Sequence, residues 1–282
     1  MKKLLSVLMA LTLVFAFTAC GGQDSPASSE SGGQSDGEMT TITVAASPTP
    51  HAEILNALKD KLAEEGIDLQ VKEYTDYVIP NTAVEDGTVD ANYFQHIQYL
   101  DNFNKENGTH LVSVANVHYE PMGIYAGKDK SATLETIPDG AKIAVPNDPT
   151  NEGRALQLLA ASGLIELKAD AGLEATPKDV TKNDHNIEFV EMEAAAVPST
   201  LSDVDFAVIN GNYALGAGLT ADDGLAFEAA DSEAAQTYTN VLVVKEGNED
   251  NPAVKKLVEV LTSDDCKAFI EENYKGMVLP SF

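Results

Sequence analysis

The sequence predicts an α/β protein of two lobes joined by a double crossover, with a ligand cleft between them. Three observations lead there. Short apolar runs alternate with amphipathic stretches from Thr41 onward, the grammar of a mainly parallel sheet with helices on both faces. A second series of the same kind opens at Ile143. After it, an apolar run from Val241 to Val244 and two helical stretches close the chain. If these pack back on the first unit, the chain passes between lobes twice. A length of 282 residues accommodates two ordinary domains. The lobes are then residues 41–127 plus 239–282, and residues 128–238.

Taken in order, Ile42 to Ala46 is a buried strand. Ile54, Leu55, Leu58 and Leu62 mark an amphipathic helix that stops at Gly66. Ile67, Leu69 and Val71 alternate as a second strand, and a short helix from Thr82 to Glu85 closes at Gly87. Val89 to Phe94 is a strand, Ile97 to Asn107 a helix ended by Gly108, and Leu111 to His118 and Met122 to Ala126 are two further strands. The second unit has the Ile143 strand and a helix after Asp148-Pro149. Strands at Ile187 to Glu191 and Val204 to Ile209 follow, then a short helix near Tyr213. Helices at Pro252 to Leu261 and Asp264 to Tyr274 come after the returning strand.

Residues 1–19 carry the pattern of an export signal. Lys2 and Lys3 precede an apolar run from Leu4 to Phe17 that is short for a membrane span. The run ends Phe17-Thr18-Ala19-Cys20, which resembles a bacterial lipoprotein signal whose cysteine becomes the lipidated N-terminus. Gly21 to Glu38 is almost devoid of apolar residues, so residues 20–40 are expected to be a lipidated cysteine and a flexible tether. With Cys20 modified only Cys266 remains, which excludes a disulfide framework. A formal charge of −27 argues against nucleic acid and against direct binding to anionic lipid. No phosphate-binding loop, nucleophile elbow, HExxH or CxxC occurs, so the common hydrolase, metalloprotease and redox signatures are missing.

The residues that point to binding begin with Arg154, the only arginine in the chain. Asp148 as N-cap and Pro149 at the first helical position place it in the first turns of a helix. A cation there opposes the macrodipole, which is poor for stability and suited to holding an anion. Its planar fork can grip a carboxylate bidentately. A surface ion pair is the plain alternative, but Asn147, Asn151 and the helix start favour a ligand carboxylate. Aromatic and polar residues also gather at three successive strand ends: Tyr74 to Tyr77, Asn92 to His96, and His118 to Pro121. Each alone suits core packing. On one rim of an open sheet they suit a pocket for a flat or thioether side chain. Asn210 and Asn240 could add neutral hydrogen bonds. A metal receptor built on His96, His118 and Glu120, and a hydrolase using His96 or His118 as base, are the competing readings.

The runs Tyr77–Asn81 (YVIPN), Ala91–His96 (ANYFQH), Val117–Gly123 (VHYEPMG), Ile143–Leu156 (IAVPNDPTNEGRAL) and Ile209–Leu215 (INGNYAL), with Tyr274-Lys275-Gly276, resemble the methionine-binding lipoproteins. These form the NlpA or MetQ family, the substrate-binding components of methionine ABC importers. The resemblance covers the chain after the tether. It implies a two-lobed type II periplasmic-binding-protein fold without catalytic activity, cofactor or metal. It further implies that Arg154 grips the ligand carboxylate and that Asn151, Asn210 and Asn240 meet the amino acid backbone. Tyr77, Phe94, His96 and His118 are implied to box the thioether. The implied partners are L-methionine, a permease–ATPase pair, and a membrane reached through Cys20 on the extracytoplasmic face of a bacterial cell. Some relatives take D-methionine or a methionine-containing dipeptide, which stay open as alternatives.

Overall fold

Two sheets organise the chain. The computed structural model describes residues 39–229 and 237–282; the expected export signal, Cys20 and all but the end of the tether lie outside the described residues. The first sheet takes β1 (Thr40–Ala46), β2 (Ile67–Glu73), β3 (Ala91–His96), β4 (Leu111–Tyr119), β12 (Thr239–Lys245) and β13 (Leu279–Pro280) in the order β13-β4-β12-β3-β1-β2. The second takes β5 (Gly123–Ala126), β6 (Lys142–Pro146), β9 (Glu188–Met192), β10 (Phe206–Ile209) and β11 (Gly224–Phe227) in the order β11-β5-β10-β6-β9. A small ribbon of β7 (Glu166–Leu167) and β8 (Val180–Lys182) stands apart.

Both sheets are mixed, where a mainly parallel arrangement was expected. β1 runs parallel to β2 and β3, but β12 enters antiparallel between β3 and β4. The reason is geometric. The chain leaves the first sheet at the end of β4 and comes back at that same end, so its returning strand must run the opposite way. The stretch Met122 to Ala126 corrects the expected boundary at residue 127. Its strand pairs antiparallel with β10 and β11 in the second sheet, not with the first. Glu120-Pro121 ends β4, and the fully buried GIYA run then needs two neighbouring strands to cover it.

Helices cover these sheets for local reasons. α1 (Glu53–Ala57) and α2 (Lys59–Glu64) break at Leu58, yet Ile54, Leu55, Leu58 and Leu62 all pack into the first core as the spacing predicts. α3 (Ile79–Glu85) has Pro80 in its first turn. α4 (Ile97–Asn107) ends on Gly108, whose φ of 64° is the left-handed cap that glycine adopts at least cost. α5 (Pro149–Ala161) starts where predicted, with the Asp148 carboxylate accepting the Asn151 main-chain N–H at 3.0 Å. α6 (Gly211–Gly216) is short and follows β10. α7 (Pro252–Leu261) buries Ala253, Val254, Leu257, Val260 and Leu261, and α8 (Asp264–Tyr274) buries Cys266, Ile270 and Tyr274, against the first sheet.

One contact governs how α5 sits. A Cβ on Gly153 would run into the Leu173 carbonyl oxygen and lie 2.8 Å from the Ala175 nitrogen. The 173–175 loop therefore packs directly on the helix backbone beside Arg154. Gly153→Ala should cost about 1–3 kcal/mol despite alanine's better helix propensity, because the obstacle is main chain that cannot rotate away. Urea denaturation of the variant measures this, and unchanged stability would show that the loop yields.

Candidate functional site

The strand ends and α5 meet around a narrow, partly open cavity. From the first sheet come Tyr77, in the loop after β2, Phe94, Gln95 and His96 at the end of β3, Tyr99 on α4, Glu120 just past β4, and Asn240 at the start of β12. The second sheet contributes Asn151 and Arg154 on α5 and Asn210, Gly211 and Asn212 after β10. Strand register explains part of the convergence. Asn240 lies opposite His96 on one side and His118 on the other, so these three residues stand abreast on adjacent strands.

Arg154 lines the cavity and is 3% exposed. Its fork is not open as the sequence implied. Nε donates to Glu228 Oε1 at 2.8 Å and Nη2 to Glu228 Oε2 at 2.6 Å, while Nη2 also reaches the Glu120 carbonyl at 2.8 Å. The guanidinium carbon sits 4.3 Å from the centroid of the Tyr238 ring, a cation–π contact. The ordinary ion pair weighed against a ligand role is thus present, but buried inside the cleft.

Side chains from the two lobes bond across the cavity. Asn151 Oδ1 accepts from His96 Nε2 at 3.1 Å and from Asn210 Nδ2 at 2.7 Å, and its own amide donates to Asp148. His96 Nδ1 accepts the Tyr99 main-chain N–H, which fixes the proton on Nε2. Tyr77 donates to Asn212 Oδ1 at 2.6 Å, and Tyr213 donates to the Thr75 carbonyl at 3.0 Å. Asn151 therefore spends most of its capacity within its own lobe and reaches the first sheet through His96, whereas Asn210 keeps a buried Oδ1 without a partner among the described residues. At the other end Tyr77, Phe94 and Tyr99 form an aromatic wall with ring centroids 5.6–6.2 Å apart.

His118 differs from expectation: it does not line the cavity but stands behind Glu120. The Tyr93 hydroxyl bonds His118 Nδ1, and His118 Nε2 bonds Glu120 Oε1 at 2.6 Å. Beside them His51 Nε2 meets Asn240 Oδ1 at 2.9 Å. His51, His118 and Glu120 could offer a metal three ligand atoms within 4.8 Å of one another. His96, placed in that set from the sequence, is instead tied to Asn151. Burial raises the Glu120 carboxyl, with nearby His51, the Asn212 N–H and Arg154 pulling the other way. A cationic ligand group would relieve that burial.

A family model described as NlpA lipoprotein matches residues 42–282. The chain belongs to the NlpA lipoprotein family. It is 42% identical over 287 residues to the methionine-binding lipoprotein MetQ of Bacillus subtilis, covering 99% of each chain. It is 42% identical over 221 residues to the D-methionine-binding lipoprotein MetQ of Escherichia coli K12, covering 77% of this chain and 78% of that one. Among solved structures it resembles a nutrient binding protein from Burkholderia cenocepacia bound to methionine. The TM-score is 0.81 at 42% identity, over 86% of this chain and all of the other.

Of the expected ligand-binding residues, Arg154, Asn151, Asn210, Asn240, Tyr77, Phe94 and His96 line one cavity in this NlpA-family chain. Glu228 was missed altogether, and Glu120 was weighed only as a metal ligand. The available signal was a lone acid directly after an apolar strand end, at Tyr119-Glu120 and again at Phe227-Glu228. His51 was hidden by its turn, Pro48–Ala52, which no periodicity announces.

Burial holds His51 down to about 4 and His96 and His118 to about 3. For each, the folded state binds fewer protons than the unfolded chain below the ordinary value of 6.5. Their contribution to stability is complete above 6.5 and falls as pH drops towards 4. In His96→Gln, whose amide can still donate to Asn151, the melting temperature should fall less steeply over that interval than in the parent. An identical slope would mean that His96 is not held neutral.

Proposed function

We propose that this protein is a lipid-anchored, extracytoplasmic receptor that captures L-methionine between its lobes and delivers it to an ABC permease and its ATPase. The observation that carries the reading is that one cavity is lined by both a basic and an acidic residue. Arg154 and Glu120 share it, joined through the Glu120 main-chain carbonyl. That matches the α-carboxylate and α-ammonium of one amino acid better than the separated ends of a dipeptide. Asn210 Oδ1 offers the ammonium a further acceptor, and the aromatic wall suits a thioether. The B. subtilis and B. cenocepacia relatives support methionine as the ligand class, and the E. coli relative keeps the D-enantiomer as the second candidate. Catalysis is no part of this reading: burial pushes the Cys266 thiol up to about 12, and the buried histidines His51, His96 and His118 are weak bases.

The metal alternative has the His51–His118–Glu120 grouping in its favour. Against it, the Tyr93–His118–Glu120 and His51–Asn240 hydrogen bonds already employ most of those atoms. A thermal-shift panel of L- and D-methionine, methionine dipeptides and zinc separates the readings, using protein unfolded and refolded to remove carried-over ligand. A ligand at a thousand times its dissociation constant stabilises by about 4 kcal/mol. A shift with zinc and none with methionine would overturn the proposal.

Arg154→Ala should abolish methionine binding in isothermal titration, a loss of about 2–5 kcal/mol. It should also lower the melting temperature, because it leaves the buried Glu228 carboxylate unpaired. Asn210→Ala, which disturbs no ion pair, should weaken binding by about tenfold with little change in melting. Near-normal affinity in both variants would place the ligand elsewhere.

A further inference from the structure

Glu228 collects more hydrogen bonds than its place in a connecting segment requires. Arg154 Nε donates to Oε1, while Arg154 Nη2, the Tyr119 hydroxyl at 2.7 Å and the Met122 N–H at 2.9 Å all converge on Oε2. The side chain is buried, 7% exposed. Burial alone would raise this carboxyl; the Arg154 charge and these donors outweigh it and hold it below its ordinary value. Yet Glu228 does not line the cavity, and Arg154 does. The carboxylate therefore lies behind the guanidinium, on the side away from the ligand space. Among the described residues Nη1 has no hydrogen-bond partner, because every bond described for the guanidinium uses Nε or Nη2.

Position along the chain adds a second constraint. Tyr119 and Met122 flank the outgoing crossover between the sheets, and Glu228 opens the returning one just after β11. Its main-chain N–H also donates to the Met122 carbonyl at 3.1 Å. One carboxylate thus fastens the α5 arginine to both connections. A guanidinium held on one edge cannot swing to find its ligand, and presents the other edge already aimed.

We propose that Glu228 is a positioning residue for the ligand's carboxylate: it fixes Arg154 from behind, so that the carboxylate is met by the Nη1 edge alone. The inference rests on the amino acid reading of the cleft and goes beyond it, since a receptor could equally have used a mobile, unpaired arginine. The role is distinct from competition. A competitor would occupy the ligand space and its removal would tighten binding, whereas removing a support loosens it.

The test compares L-methionine with L-methioninamide, which lacks the carboxylate charge, by isothermal titration on the refolded full chain. Glu228→Gln keeps the shape, but its amide nitrogen cannot accept from the donors that crowd Oε2. The variant should bind methionine about tenfold more weakly or worse, and methioninamide within about twofold of the parent. Should Glu228→Gln fold poorly, Tyr119→Phe removes one donor and should show the same split at about threefold. Equal losses for both ligands would reduce Glu228 to a structural part and overturn the proposal. So would unchanged or tighter methionine binding. A parent protein that binds no methionine would instead overturn the functional reading, and this inference with it.

Discussion

The buried pair between Arg154 and Glu228 is the interaction on which the site depends. Taking both charges out of water is costly, and their attraction repays it only when the remaining donors and acceptors are also satisfied. Here the carboxylate has four donors, and the guanidinium has the Glu120 carbonyl and the Tyr238 face besides. The pair is net neutral, so a zwitterion can approach without confronting an uncompensated cation. It also ties Arg154 to the connections between the sheets and not only to its own helix.

The sheet topology explains why such a pair can exist. Because β12 returns beside β4, a carboxylate just after β11 can meet Tyr119 and Met122 of the outgoing connection. The same geometry sets His96, Asn240 and His118 abreast and brings the strand ends of the first sheet to face the start of α5. Bonds across that gap include neutral ones, from an amide, a phenol and an imidazole held uncharged by burial, beside the Arg154 bond to the Glu120 carbonyl. Neutral bonds of this kind are each modest.

Much of this was legible in the residues. Helix starts were readable because their chemistry is local: Asp148 before Pro149, and Gly108 after Asn107. The strand-end aromatics were readable because a pocket in an open sheet has a known place. Sheet direction was not, since the antiparallel entry of β12 depends on where the chain re-enters and not on its composition. Glu228 was invisible for a related reason. The hydrogen-bond partners described for it lie 74 or more residues away in sequence, and a carboxylate in a chain this acidic attracts no notice until its neighbours are known. His118 was placed correctly on its strand but one layer too far forward, because a strand pattern assigns a face and not a depth.

The scarcity of arginine has a practical side. A chain with one guanidinium, and that one buried at the centre of the cleft, can be grown with nitrogen-15 arginine so that a single Nε–H resonance reports on the site. Its proton sits on the bond to Glu228 Oε1, so its chemical shift and its exchange with water would track that contact directly. The central charge can thus be watched against a spectroscopically silent background without a mutation or an added probe.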